Sequence, residues 1–329
     1  MGNKLNKDDA TLMSYIPGLK VLDCTLRDGG LINNFNFSDE FARELYKANI
    51  KAGVDYMEFG YKASTDVFDE DKFGKWKFCK EEDIRAIVGE NDSKLKISVM
   101  LDVGRTDYEK DLLPRSESVI DMVRIATYIH QIPTAVLMAR DAKNKGYEVC
   151  MNIMAVSKVN DDLLNEALEM IGNSCVDVIY FVDSFGSFYP EQIETYVKKY
   201  MEIAKKHGLE VGFHGHNNQQ LAFANTITAL RHGATLLDAT MSGMGRGAGN
   251  CYMELLLAFL KNPKYKVINT MDFVEKYITK LKDEGCVWGY DFSYLMTGIL
   301  NSHPRTAIKF VEEKRTDYKR FYNEILDLD

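Results

Sequence analysis

Eight short apolar runs of strand length, most of them separated by stretches with helical spacing, set the strongest limit on what this chain can become. The runs cover residues 20–25, 55–61, 96–101, 122–127, 147–154, 176–183, 210–214 and 234–240. Helical spacing falls between them at 135–145, 161–171, 190–207 and 219–231. A further helix is capped by Ser38, places Phe41, Leu45 and Ala48 on one face and stops at Gly53. Strand and helix alternating at roughly 25 to 40 residues per unit build a parallel sheet, and eight units close it as a TIM barrel. No G-x-G-x-x-G follows the first run, which argues against a doubly wound sheet. The expected fold is therefore α/β, a (β/α)8 TIM barrel over 19–262 with a C-terminal helical extension over 263–329. The extension rests on helical stretches at 271–282, 290–300 and 303–328. A length of 329 residues accommodates a barrel with a short appendage.

Composition narrows the partners. A net charge of -8 without a Lys/Arg stripe argues against nucleic acid. No run of eighteen apolar residues is present, and the N-terminus M-G-N-K-L-N-K-D-D has neither an apolar secretory core nor a Ser or Thr at position 6 for myristoylation. Six cysteines without a C-x-x-C pair read as buried thiols of a reducing compartment. These features lead us to expect a cytoplasmic protein with no membrane partner. The aromatic helices of the extension are expected to pack on the barrel or to join two subunits as a homodimer.

The chemistry is concentrated at G-F-H-G-H-N-N, residues 212–218. Side chains two apart on a strand share a face, so His214 and His216 project together in a chelating pair. A plainer reading leaves them as two polar residues at a strand end. In a barrel the reactive groups lie at the C-terminal strand ends. Those ends carry Arg27 and Asp28 in a turn with Gly29 and Gly30, then Glu58, Asn152, Ser184 and the segment 242–250. Only the eighth strand separates the first from the seventh, so Asp28 can meet both histidines. One carboxylate and two imidazoles leave about three positions open, which suits Mn²⁺ or Mg²⁺ and tolerates Zn²⁺. Such an ion chelates a small 2-oxo acid and stabilises its enolate. Arg27 would hold the same oxyanion or pair with Glu58, and Asn152 and Ser184 would donate to a substrate carboxylate. The glycine-rich segment 243–250 reads as a flexible active-site loop entering a helix near Asn250.

L-D-C-T-L-R-D-G-G, Y-M-E-F-G, F-V-D-S-F-G, G-F-H-G-H-N-N and G-M-G-R-G-A-G-N, in that order, resemble the metal-dependent aldolase and lyase superfamily over residues 20–260. The likeness is greatest to the 4-hydroxy-2-oxovalerate aldolases and weaker to the HMG-CoA lyases. It implies that Asp28, His214 and His216 ligate a divalent metal, joined by Asn250 as in the lyase branch. It further implies that Arg27 stabilises the enolate, that Glu58 supports Arg27, and that Ser184 lies near the substrate carboxylate. Two departures stand out. Leu31 occupies the place of the aldolases' histidine base, and 244–248 lacks the lyases' loop cysteine. The resemblance also implies a C-terminal module that docks an acylating aldehyde dehydrogenase and supplies an acidic tyrosine. The stretch here differs, with Tyr290 and Tyr294 on offer, and Tyr290 is taken as the candidate base. The expected function is a metal-dependent carbon-carbon lyase of aldol type. A Claisen-type acyltransferase using an acyl-CoA and a non-catalytic metal-binding scaffold are the alternatives.

Overall fold

In the computed structural model, which describes residues 16–327, eight parallel strands pair in chain order and the last returns to the first, closing a TIM barrel. They are β1 (Lys20–Asp23), β2 (Tyr56–Tyr61), β3 (Lys96–Asp102), β4 (Met122–Thr127), β5 (Glu148–Ile153), β6 (Val178–Asp183), β7 (Glu210–Gly215) and β8 (Leu236–Ala239). Alternate residues divide between two cores, as the strand period of two requires. Leu22, Tyr56, Met122, Cys150, Val178 and Leu236 form an apolar cluster inside the ring. Their neighbours Val21, Met57, Val123, Val149, Ile179 and Leu237 join the larger core between strands and helices. Burial on both faces explains why the strands read as continuous apolar runs.

Helix boundaries follow local capping chemistry. Ser38 Oγ accepts from the Phe41 N–H at 3.1 Å to start the helix Asp39–Ala52, and Gly53, at φ 76°, ends it. Asn160 caps Asp161–Gly172 in the same way. Two starts fall later than the sequence suggests. The helix after β7 begins at Ala222, because the Asn217 side chain accepts the Ala222 N–H and Gln220 takes φ 61° in the preceding turn. The helix after β8 begins at Met253, because Asn250 and Tyr252 are committed to bridges with His216 and Thr240.

A larger correction concerns Arg27-Asp28-Gly29-Gly30, which is not a turn at the end of β1 but part of a helix, Thr25–Asn33, that follows the strand almost at once. The glycines serve packing. A Cβ on Gly29 would lie 2.9 Å from the Met244 sulfur, and one on Gly30 would lie 2.2 Å from the Phe35 ring. The loop 243–250, expected to be flexible, is held by its own bonds and by the extension. Asn250 N–H donates to Gly243 O at 3.0 Å, and Trp288 Nε1 donates to Ser242 O at 3.1 Å.

Beyond β8, Ile268–Phe273, a π turn over Val274–Ile278 and Thr279–Asp283 form one helical run. It packs through Phe273 and Tyr277 against Phe41 of the barrel. The stretch 303–328 is not one helix but two, Arg305–Glu312 and Tyr318–Leu326, with Lys314 at φ 53° reversing the chain between them. Together with Phe292–Ile299 they enclose a separate apolar cluster that includes Phe310, Phe321, Ile325 and Ala248 of the loop after β8. Phe292–Ile299 is seated on the C-terminal mouth of the barrel. Asn218 Nδ2 donates to Thr297 Oγ1 at 3.2 Å, and Gln219 Nε2 to Gly298 O at 3.1 Å. All six cysteines are free thiols. No helix among the described residues is long and apolar enough to cross a membrane.

Candidate active site

A cleft with about 630 Å³ of space, part of it open to solvent, lies at the C-terminal mouth, and Arg27, Asp28, Asn152, Ser184, His214 and His216 all line it. Each arrives by a different route. His214 is the last inward side chain of β7. His216 lies one residue past the strand, fixed by its bridge to Asn250 and by its N–H donating to Asp183 O at 3.2 Å. Asp28 sits in the first turns of Thr25–Asn33, where its N–H donates to Cys24 O at 2.9 Å. One ligand atom from each of Asp28, His214 and His216 lies within 4.8 Å of the others. Asn250 completes the group, its Nδ2 donating to Asp28 Oδ2 and to Met244 O. Only glycine fits at 245, since a Cβ there would lie 2.4 Å from Asp28 Oδ2.

The ionisation of these groups follows from their neighbours. Burial pushes the Asp28 carboxyl up, but the Arg27 guanidinium and the two imidazoles override it and hold the group below the usual carboxylate range. Burial lowers His216 to about 3 against the pull of Asp28, so the ring is neutral near pH 7 and its lone pair is free. His214 is oriented by Asp238, whose Oδ2 lies 2.9 Å from His214 Nδ1. That contact places the ring proton on Nδ1 and leaves Nε2 as an acceptor. Both His214 Nε2 and Asn250 Oδ1 are buried without a hydrogen-bond partner among the described residues. An orphaned imidazole nitrogen clustered with a second neutral imidazole and an ionised carboxylate is what a divalent cation needs, so Asp28, His214 and His216 fit one.

Below the cleft lies a charged floor of which the sequence reading singled out Glu58 and missed Arg124 and Asp238. Arg124 of β4 donates through Nη1 to Glu58 of β2 at 2.9 Å and through Nη2 to Asp238 of β8 at 2.6 Å, contacts that pass through the barrel interior. The guanidinium stacks over Tyr180 with 4.2 Å to the ring centroid, and the Tyr180 hydroxyl donates to Asp238 Oδ1 at 2.9 Å. Gly212 makes room for that ring, which a Cβ would meet at 2.4 Å. Arg27 joins from above. Its Nε donates to Glu58 at 2.8 Å and its Nη1 to Asp28 at 2.7 Å, so Glu58 is shared by two arginines. A register shift in β2 between Glu58 and Tyr61 lets both face inward, and Gly60 permits it because Trp76 O occupies the space of a Cβ.

The remaining sequence candidates separate. Asn152 is buried at the cleft wall with an unpartnered Oδ1. Ser184 Oγ accepts the Ala155 N–H at 2.9 Å, which ties the loop after β5 while leaving the hydroxyl proton to donate. Tyr290 does not join them. It is 63% exposed and is not among the residues that line the cleft. Leu31, Tyr61, Arg246 and His303 do line it, and the last three were not singled out from sequence. Arg246 had a readable signal, as the one cation in a run of small residues placed over the barrel mouth.

Comparison with known proteins shows the family and the fold. The HMGL-like family model matches residues 18–279. An oxaloacetate decarboxylase of Mycobacterium tuberculosis is 31% identical over 73% of this chain and 69% of its own. A 4-hydroxy-2-oxovalerate aldolase of Thermus thermophilus is 34% identical over 78% of this chain and 73% of its own. The crystal structure of the N-terminal domain of a Bacteroides vulgatus protein, provisionally described as an aldolase, superposes with a TM-score of 0.78 at 32% identity. It covers 89% of this chain and 96% of that one.

Proposed function

The chain belongs to the HMGL-like family and is a lyase, and from that premise we propose that it breaks a carbon-carbon bond beside a small 2-oxo acid in the aldol sense, by way of an enolate. Asp28, His214 and His216, with Asn250, are the residues that would hold a divalent cation, Mn²⁺ or Mg²⁺ ahead of Zn²⁺. The observation that carries this reading is the clustering of the ionised Asp28 carboxylate with His214 and His216, where His214 Nε2 has no partner among the described residues. A divalent cation bound there supplies Lewis acidity toward the keto and carboxylate oxygens of the substrate.

The chain's own residues set the rest. Arg27 is clamped by Glu58 and Asp28 through Nε and Nη1, so its remaining Nη2 is held in the cleft wall to donate to the oxyanion as charge develops. Removing a preorganised donor of this kind costs about 10² to 10³ in rate. Glu58 acts through Arg27, fixing the plane of the guanidinium. Asn152 and the Ser184 hydroxyl are placed to orient the substrate carboxylate. Met100, Ala126 and Val182 supply an apolar wall that strengthens these polar contacts by excluding water.

A second reading draws on Leu31 and on the Mycobacterium tuberculosis relative. Loss of CO₂ from a 3-carboxylated 2-oxo acid reaches the same enolate without a base to take a hydroxyl proton, and Leu31 offers none. Exposed apolar side chains at Ile268, Met271, Val287, Tyr290 and Phe292 keep homodimerisation through the extension as part of the proposal; a single monomeric mass by light scattering at every concentration removes it.

The test of the central reading is solvent deuterium exchange into the methyl group of pyruvate, followed by NMR with Mn²⁺ present. Metal-dependent exchange that disappears in Asp28→Asn is the expected result. Bound Mn²⁺ with no exchange into pyruvate or 2-oxobutyrate overturns it. Consumption of oxaloacetate without cleavage of a 4-hydroxy-2-oxo acid selects the decarboxylase reading.

A further inference from the structure

Of the arginines that reach the barrel mouth and floor, Arg27 and Arg124 are each bound to two carboxylates, and Arg246 is bound to none among the described residues. Arg246 lines the cleft, its Nε is buried without a partner, and burial lowers its pKa below the usual guanidinium value. Among the described residues the one hydrogen-bonding contact of its side chain is between Nη1 and His303 Nε2, at 3.5 Å. His303 reaches the cleft from the extension, between the helices Phe292–Ile299 and Arg305–Glu312, with its ring edge-on to Phe185.

The protonation of that imidazole decides what the contact is. The backbone N–H of Arg305 donates to His303 Nδ1 at 3.1 Å, which makes Nδ1 an acceptor. Burial, reinforced by the nearby Arg246 and Arg305, lowers the ring to about 4, so it is neutral near pH 7. A neutral imidazole that accepts at Nδ1 carries its proton on Nε2. Nη1–H and Nε2–H are then two donors turned toward each other at the cleft, with no acceptor between them. Donors left so, in a half-buried site, lose the hydrogen bonds that water gave them unless one acceptor serves both.

We propose that Arg246 and His303 form an anion subsite, which takes a carboxylate or phosphate at the end of the substrate remote from the 2-oxo acid. The remoteness rests on the proposed function, which puts the 2-oxo acid at Asp28, His214 and His216. Gly245 abuts Asp28, and Arg246 lies near enough to Asp28 and His216 to interact with both electrostatically, so the subsite adjoins that centre. The guanidinium fork matches a carboxylate or phosphate edge, and the imidazole adds a third donor. The anion held there stays on the substrate, because an ion pair stabilises the charged carboxylate and opposes its departure as neutral CO₂.

The experiment compares 2-oxoglutarate with 2-oxopentanoate, matched in length but ending in a methyl group, by calorimetry on the Mn²⁺-loaded protein. 2-Keto-3-deoxy-6-phosphogluconate supplies the phosphate-ended arm. At least about tenfold tighter binding of one anionic-ended acid is expected, falling toward parity in Arg246→Gln and partly kept in Arg246→Lys, which also serves if the glutamine variant does not fold. Equal affinities for all three acids in the unaltered protein overturn the proposal. So does an equal loss for charged and methyl-ended acids in Arg246→Gln, which would put Arg246 on the 2-oxo acid itself. A metal-free measurement separates this proposal from the enolate reading. ¹⁵N NMR of the histidines should show His303 as the Nε2–H tautomer, with signals that move on adding glutarate or inorganic phosphate and stay still in Arg246→Gln. An Nδ1–H tautomer, or no response to either anion, sinks the subsite even where pyruvate exchanges deuterium. A response without pyruvate exchange keeps the subsite and removes the enolate reading.

Discussion

Arg124 and Arg246 are carried by the same barrel and meet opposite surroundings. Arg124, in the floor, spans Glu58 and Asp238 and lies over the face of Tyr180, so every charge around it is answered inside the protein. Arg246, at the rim, meets only an imidazole that is itself a donor. The difference separates two uses of buried charge. Paired charges in the floor fix where Arg27 and His214 stand, whereas an unpaired one at the rim is left for something that arrives.

The largest expected contrast is in stability. Arg124→Met strips the shared cation from Glu58 and Asp238 and should cost about 3 to 5 kcal/mol in urea unfolding, the usual price of stranding a buried partner. Arg246→Met removes a guanidinium with no counter-ion and should cost less than about 1 kcal/mol. Similar losses in the two variants would erase the distinction between floor and rim. Next in size is the effect of the floor on the ligands above it. Asp238→Asn frees the His214 tautomer, and Mn²⁺ affinity by calorimetry should fall about 10- to 100-fold with the fold intact. Unchanged affinity would mean that the floor does not set the ligand. The smallest effect tests how redundant the floor is. Tyr180→Phe keeps the ring under Arg124 and deletes one donor to Asp238, which retains Arg124 and His214. A loss near 1 kcal/mol is expected, and a loss as large as that of Arg124→Met would show that the hydroxyl, not the arginine, holds the network.

The ring of eight strands was legible because all of its strands are buried on both faces, and H-x-H was legible because a period of two is read directly from spacing. Arg124 and Asp238 were not. A single charge in an apolar run looks like a solvent-facing position, and only closure of the ring shows that β2, β4 and β8 aim Glu58, Arg124 and Asp238 at one point. The Arg-Asp-Gly-Gly helix was misread because paired glycines ordinarily signal a turn; Met244 reaches Gly29 only through tertiary contact, and Phe35 folds back on Gly30 from just beyond the helix. His303 was hidden for the same reason, since it belongs to the extension and enters the cleft only because Gln219 and Asn218 dock Phe292–Ile299 on the mouth. Contacts set by periodicity could be read from the sequence, and those set by closure and docking could not.

The proposed ligand cluster straddles the seam where the barrel closes. Asp28 follows β1, His214 ends β7, Asn250 follows β8, and the Asn250–Asp28 bond joins residues 222 positions apart. Contacts of that sequence separation form late in folding, after the loop entropy has been met. An ion bound across them, as proposed above, would act as a clasp on the last step of closure. By binding the closed ring and not the open one, it would stabilise the barrel chiefly by slowing unfolding, and the lifetime of the barrel would then depend on metal supply.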